Sequence, residues 1–176
     1  RKQIVLMALA AGLILGLGLA LLLELAAPGV ARPEDAERAL DLDHLSSLPQ
    51  VAGGADGSEL RSVRLMVAEP RGVFAEAVRG LRREIDVRRA RRSPAVILVA
   101  SSLPGEGKTS VASNLAHNYA LSGVRTLLVD ADLRKASLTR TLLRQAPISS
   151  LRDCLERGGA ITQAVLRDNA TGLCCL

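Results

Sequence analysis

The stretch AVILVASSLPGEGKTS, Ala95 to Ser110, decides how this chain is read. Its first six residues are continuously apolar, which fits a strand buried on both faces of a parallel sheet. The small residues behind it end in Gly107-Lys108-Thr109, and such a loop between a strand and a helix turns several backbone N–H groups toward an anion. Pro104 and Gly105 shape the turn, and Gly107 permits a close backbone approach. Lys108 can reach terminal phosphates, and the Thr109 hydroxyl can hold Mg²⁺. Glu106 and Ser110 complete the segment expected around the phosphates. A full G-x-x-x-x-G-K-[ST] pattern needs glycine at 102, and the residue is Ser102.

On the carboxyl side a helix is expected from Thr109 to about Leu121, ending near Ser122-Gly123. Thr126-Leu-Leu-Val-Asp130 follows as a second apolar strand, so the order strand, helix, strand gives a βαβ unit and an α/β fold. Asp130 and Asp132 then emerge at the carboxyl edge of that strand, where open sheets bind ligands. Two carboxylates beside a lysine and a Mg²⁺ ligand suit phosphoryl transfer: one assists the metal, and one orients or deprotonates the attacking group. The structural alternative is that Asp130 caps a turn and Asp132 pairs with Arg134.

On the amino side, Val73 to Val87 is amphipathic at helical period. Val73, Phe74, Ala77, Val78, Leu81 and Ile85 share one side, with Glu76, Arg79, Arg82 and Arg83 on the other. The polar face reads either as solvated, with a local Glu-to-Arg pair, or as a contact between subunits.

Ile4 to Leu23 is a run of twenty residues without a polar side chain. At about 1.5 Å per residue it can cross a hydrocarbon core of roughly 30 Å. A signal peptide is the poorer reading because the run is too long. Basic residues flank both ends, so the charge rule is tied, and the nucleotide loop sets the orientation with residues after about 27 in the cytoplasm. The expected organisation is a membrane helix over 1–27, a juxtamembrane linker over 28–69 and a nucleotide domain over 70–176. Within the linker, Pro33-Glu34-Asp35-Ala36-Glu37 predicts a short helix to about Leu40, and Gly53 to Ser58 reads as a loop.

The net charge is +5, and seven arginines between Arg79 and Arg92 meet only Glu84 and Asp86. With no aromatic residues among them for base stacking, they argue against nucleic acid and for a solvated, lipid-facing or subunit-facing surface.

Together these motifs resemble the bacterial tyrosine kinases that accompany polysaccharide co-polymerases in exopolysaccharide and capsule export. SSLPGEGKT is similar to the family's Walker A, serine included, and LLVDADLRK to its second acidic motif, Walker A′. Glu76, Arg79 and Arg82 fall on its Glu-x-x-Arg-x-x-Arg motif. The resemblance implies a P-loop NTPase-like parallel sheet with flanking helices behind one transmembrane helix in the bacterial inner membrane. It further implies ATP with Mg²⁺, ring oligomers built through Glu76, Arg79 and Arg82, autophosphorylation of a tyrosine-rich C-terminal tail, and control of polymer length together with the export machinery. By it Lys108, Thr109 and Asp130 serve phosphate and metal, and Asp130 and Asp132 serve the metal and the incoming tyrosine. No Walker B strand is found before Leu176, and the one tyrosine, Tyr119, reads as a packing residue, so a truncated, catalytically incomplete piece is expected. The competing readings are a chain-length regulator without kinase activity and a MinD or ParA type ATPase, whose signature lysine is replaced here by Leu103.

Cys154, Cys174 and Cys175 are expected as reduced thiols, and His44 and His117 as isolated residues rather than metal ligands.

Overall fold

The computed structural model describes residues 2–26, 33–51, 58–89, 95–132, 138, 141–142, 151–158 and 160–176. They fall into two compact units, Arg1–His44 and Leu45–Leu176. The first holds helices α1 (Lys2–Ala26) and α2 (Pro33–Leu40). Helix α1 is apolar and exposed all round, which in water would be unstable and in lipid is the expected state of a spanning helix. Helix α2 begins at a proline and carries Glu34 and Asp35 in its first turn, where the helix dipole favours acids. The expected loop at 53–58 lies largely outside the described residues.

The second unit takes in residues on both sides of the expected boundary at Glu69-Pro70. Its helices are α3 (Ser58–Val63), α4 (Leu65–Ala68), α5 (Val73–Arg88), α6 (Lys108–Leu121) and α7 (Leu151–Arg157). Helix α6 is its centre. On one side Ala116 packs with Val63, Leu128, Leu173 and Cys175; on the other Leu115 and Tyr119 pack with Met66, Ala75 and Val78. Each such fully buried aliphatic side chain contributes about 1.5–3 kcal/mol relative to exposure. Covered on both sides, α6 buries every residue from Ser113 to Tyr119, polar ones included.

Those polar groups persist inside because each has a partner. Asn114 Oδ1 accepts from Met66 N at 2.8 Å, and its Nδ2 donates to Ser62 O and Ser110 O, both at 2.7 Å. Ser113 Oγ donates to Val63 O at 2.7 Å. One turn of α6 thereby takes up the chain ends that the short helices α3 and α4 leave unpaired.

Among the described residues the sheet has three short strands, β1 (Leu127–Leu128), β2 (Leu166–Arg167) and β3 (Cys174–Cys175), in the order β1-β3-β2. Strand β1 runs parallel to β3, and the ladder extends from Thr126 O, which accepts from Cys174 N, to Asp130 N, which donates to Leu176 O at 2.7 Å. The expected strand at 126–130 thus pairs with β3. Two expectations need correction. The sheet is mixed, because β2 returns antiparallel to β3 through a turn closed by Gly172 N donating to Asp168 O, with Gly172 at a φ of +75°. Residues 95–100 form no strand: Val96 is 98% and Leu98 87% exposed. Apolarity there suits a buried strand, but a strand exists only with a hydrogen-bonded neighbour, and none of the described strands lies beside it.

Candidate functional site

The loop from Ser101 to Gly107 bends back through two glycines, Gly105 and Gly107, each at a φ of +85°. That is the left-handed region, which L side chains enter only at a cost. A Cβ at either position would meet nothing within 4 Å, so backbone conformation rather than crowding calls for glycine. Gly107 is the N-cap of α6 and has no side chain to satisfy the first turn. The amides of Lys108, Thr109 and Ser110 therefore have no acceptor within the helix, and the positive end of its dipole faces the loop. Lys108, Glu106, Ser101 and Ser102 line an open cavity of about 430 Å³ together with Val99, Ala100 and Val111. Unsatisfied amides, an exposed ammonium and two glycines are the donor set of a phosphate cradle.

The structure also accounts for Ser102 in place of glycine. Glu106 Oε2 accepts from Leu103 N at 3.1 Å and from Ser102 Oγ at 3.4 Å, so the serine and the glutamate brace the loop across its mouth. Ser101 Oγ donates to Leu103 O at 3.0 Å. The sequence placed Glu106 in the loop without giving it this task.

Asp130 leaves the carboxyl end of β1 with both carboxylate oxygens engaged. Oδ1 accepts from Asp132 N at 3.1 Å and Oδ2 from Leu138 N at 3.0 Å. This is the turn-capping arrangement weighed in the sequence, and each oxygen keeps a second lone pair for another partner. Asp132 is exposed. Among the described residues neither aspartate lines the cavity beside Lys108. Arg134, the partner weighed for Asp132, lies outside the described residues.

Glu76, Arg79 and Arg82 share a stripe on α5 but not an environment. Glu76 and Arg79 pair at 2.5 Å at the surface, and Arg79 also donates to Pro70 O. Arg82 is turned inward, onto the carboxyl-terminal turn of α6. Val73, expected on the packed side, is exposed; Ala75, Val78 and Leu81 are the buried residues of this helix. Tyr119 packs as expected, its hydroxyl donating to Asp86 Oδ1 at 2.8 Å, and burial followed by the Asp86 carboxylate pushes its pKa up.

A polar cluster that the sequence did not reveal lies behind α6. Asp168 Oδ2 pairs with Arg64 at 2.9 Å and accepts from Thr171 Oγ1 at 2.7 Å, while Oδ1 accepts from Ala170 N. Burial alone would raise the Asp168 pKa, but these hydrogen bonds and the Arg64 charge together hold it below the usual value. His117, 1% exposed, faces the same carboxylate, and burial lowers its pKa. Cys175 is buried in the sheet and its thiol is pushed up to about 12, chiefly by desolvation, so it is an inert packing residue.

No protein-family model matches the chain. It is similar to the succinoglycan biosynthesis transport protein ExoP of Rhizobium meliloti, 39% identical over 66% of this chain and 15% of that protein. It is also similar to the tyrosine-protein kinase YwqD of Bacillus subtilis, 31% identical over 64% of this chain and 47% of that protein. Among solved structures the BceF tyrosine kinase domain superposes with a TM-score of 0.67 at 28% identity, covering 84% of this chain and 62% of that domain. The chain thus spans less than half the length of these two sequence relatives. The chain is thus similar in sequence to a bacterial protein named a tyrosine-protein kinase and in fold to a tyrosine kinase domain.

Proposed function

We propose that this chain carries the nucleotide-binding part of an ATP-dependent protein-tyrosine kinase, attached by α1 to the bacterial inner membrane and serving exopolysaccharide or capsule production. The observation that carries this reading is the head of α6: Gly107 at a positive φ, uncapped amides behind it, and Lys108 at the mouth of the cavity. The similarity to named tyrosine kinases supports the acceptor class, and the similarity to ExoP supports the polysaccharide setting.

In this reading ATP is the substrate and Lys108 binds its β- and γ-phosphates, with the amides of Lys108, Thr109 and Ser110 beneath them. Mg²⁺, when bound, neutralises charge on the phosphates; the Thr109 hydroxyl and Asp130 are the residues that would hold it. Asp130 is held for that task by Asp132 N and Leu138 N, which fix its carboxylate. Asp132, exposed at the sheet edge, takes the proton from the attacking phenol. Tyr119 is not that phenol, being buried with its hydroxyl committed to Asp86. The acceptor is therefore another tyrosine, in a tail of the whole protein or in a neighbouring subunit.

In this reading residues after about 27 lie in the cytoplasm, where ATP is, and a ring of subunits meets through the α5 surface that carries Glu76, Arg79 and Arg82. The test is ATP-dependent tyrosine labelling by the whole protein. Lys108→Ala is expected to abolish it, whereas labelling near the wild-type level would remove the role given to Lys108.

A further inference from the structure

Arg82 is more deeply engaged than its two companions on α5. Its Nη1 donates to Asn118 O at 3.0 Å, to Asn118 Oδ1 at 2.8 Å and to Ser122 Oγ. Its Nε reaches Asp86 Oδ2 at 3.3 Å, and its guanidinium carbon lies 4.5 Å from the centre of the Tyr119 ring. Tyr119 in turn donates to the other oxygen of Asp86. A planar, permanently charged fork is suited to this: with Ser122 Oγ it caps the Asn118 carbonyl near the end of α6, it stacks on an aromatic face, and it places a cation at the negative end of the helix dipole. Its side chain is 21% exposed, against 65% for Glu76.

We propose that Arg82 is a positioning residue for the nucleotide site. It fastens the carboxyl-terminal turn of α6 to α5, and α6 presents Lys108 and Thr109 at its other end. Fourteen residues of helix, about 21 Å at 1.5 Å per residue, form a stiff rod, so a change of tilt at Asn118 is carried to Lys108. The same α5 carries Glu76 and Arg79 on its outer surface, so a neighbour that shifts α5 also shifts the phosphate cradle. The inference rests on the reading that the Lys108 loop takes a nucleotide.

The test is titration of the detergent-solubilised chain with a fluorescent ATP analogue and Mg²⁺, with sedimentation of the same samples. Arg79→Ala is expected to bind within twofold of wild type while shifting toward monomer. Adding Arg82→Ala to Arg79→Ala is expected to raise the Kd about three- to tenfold at full binding amplitude, with Arg82→Lys lying between. A substitution that only destabilises the fold lowers the amplitude and leaves the Kd of the folded fraction unchanged, and that result would overturn the proposal. So would a double variant that binds as tightly as Arg79→Ala. If Arg82→Ala does not fold by circular dichroism, Arg82→Gln is read by the same criteria. A wild-type chain that binds no analogue would bring down the nucleotide reading itself, and this inference with it.

Discussion

His117 Nε2 lies 3.8 Å from Asp168 Oδ2, with the imidazole almost wholly buried. Its Nδ1 is 2.8 Å from Ser113 O, a group that only accepts, so Nδ1 carries the proton and Nε2 presents a lone pair toward the carboxylate. Arg64 already occupies that carboxylate at 2.9 Å. Burial first, and the Arg64 charge with it, hold the imidazole pKa below its ordinary value, so α6 meets the β2–β3 turn at this point by packing rather than through an ion pair.

This arrangement predicts how stability varies with pH. The folded His117 pKa is below the ordinary 6.5, so the unfolded chain binds the proton more readily and stability falls as pH drops below about 6.5. The slope cannot exceed about 1.4 kcal/mol per pH unit for one group. Asp168 acts lower: its folded pKa is depressed, so its contribution is present above about 3.8 and is lost as pH falls further. Melting temperatures recorded from about pH 7.5 to about 4.5 should decline, and His117→Gln should flatten the decline below about 6.5, the ordinary histidine value. An unchanged profile in that variant would assign the decline to other groups.

Asn114 serves three backbone groups from one buried position. Asn114→Ala should cost about 2–4 kcal/mol in urea unfolding, because Met66 N and Ser62 O are left without their partner in the interior. A loss below about 1 kcal/mol would mean that water replaces the amide.

Gly107 has open space around its Cα but a left-handed backbone. Gly107→Ala should therefore destabilise by about 1–2 kcal/mol through strain alone, without a steric clash. Nucleotide affinity should fall with it, since the alternative is a loop that abandons its conformation. Wild-type stability and affinity together would show that the left-handed turn is dispensable.

Among the described residues, no side chain of α1 between Lys2 and Leu23 is buried. The intact chain should sediment with membranes and resist carbonate extraction, and removal of residues 1–31 should release the remainder into the soluble fraction. A truncated chain that stays membrane-bound would move the anchor to the basic surface between Arg79 and Arg92.

How much of this could be read from the sequence depended on which kind of pattern carried it. The glycine turn and α6 were legible because glycine and a helix start have local causes. Helix α1 and α5 were legible through composition and period. The strand expected at 95–100 was not, since apolarity reports a tendency to be buried, whereas a strand is a hydrogen-bonded relation between two segments distant in sequence. Strand β2 went unseen for a related reason: Leu166 and Arg167 have no alternation and pair only because the turn through Asp168, Thr171 and Gly172 brings them to β3. The polar residues Ser113, Asn114 and His117 would pass for a solvent-facing stripe. They are buried because α3 and α4 deliver backbone groups to them, which no local signal announces. Arg82 looks like its companions Glu76 and Arg79 at helical spacing, and only its contacts with Asn118 distinguish it from them.

If the loop between Ser101 and Ser110 holds a nucleoside triphosphate, isothermal titration with ATP and Mg²⁺ should show saturable one-site binding by the wild-type chain. Lys108→Ala should bind with a Kd at least about tenfold weaker, roughly the loss of one charge-assisted phosphate contact. Equal affinities, or no heat of binding to a folded wild-type chain, would contradict that reading of the loop.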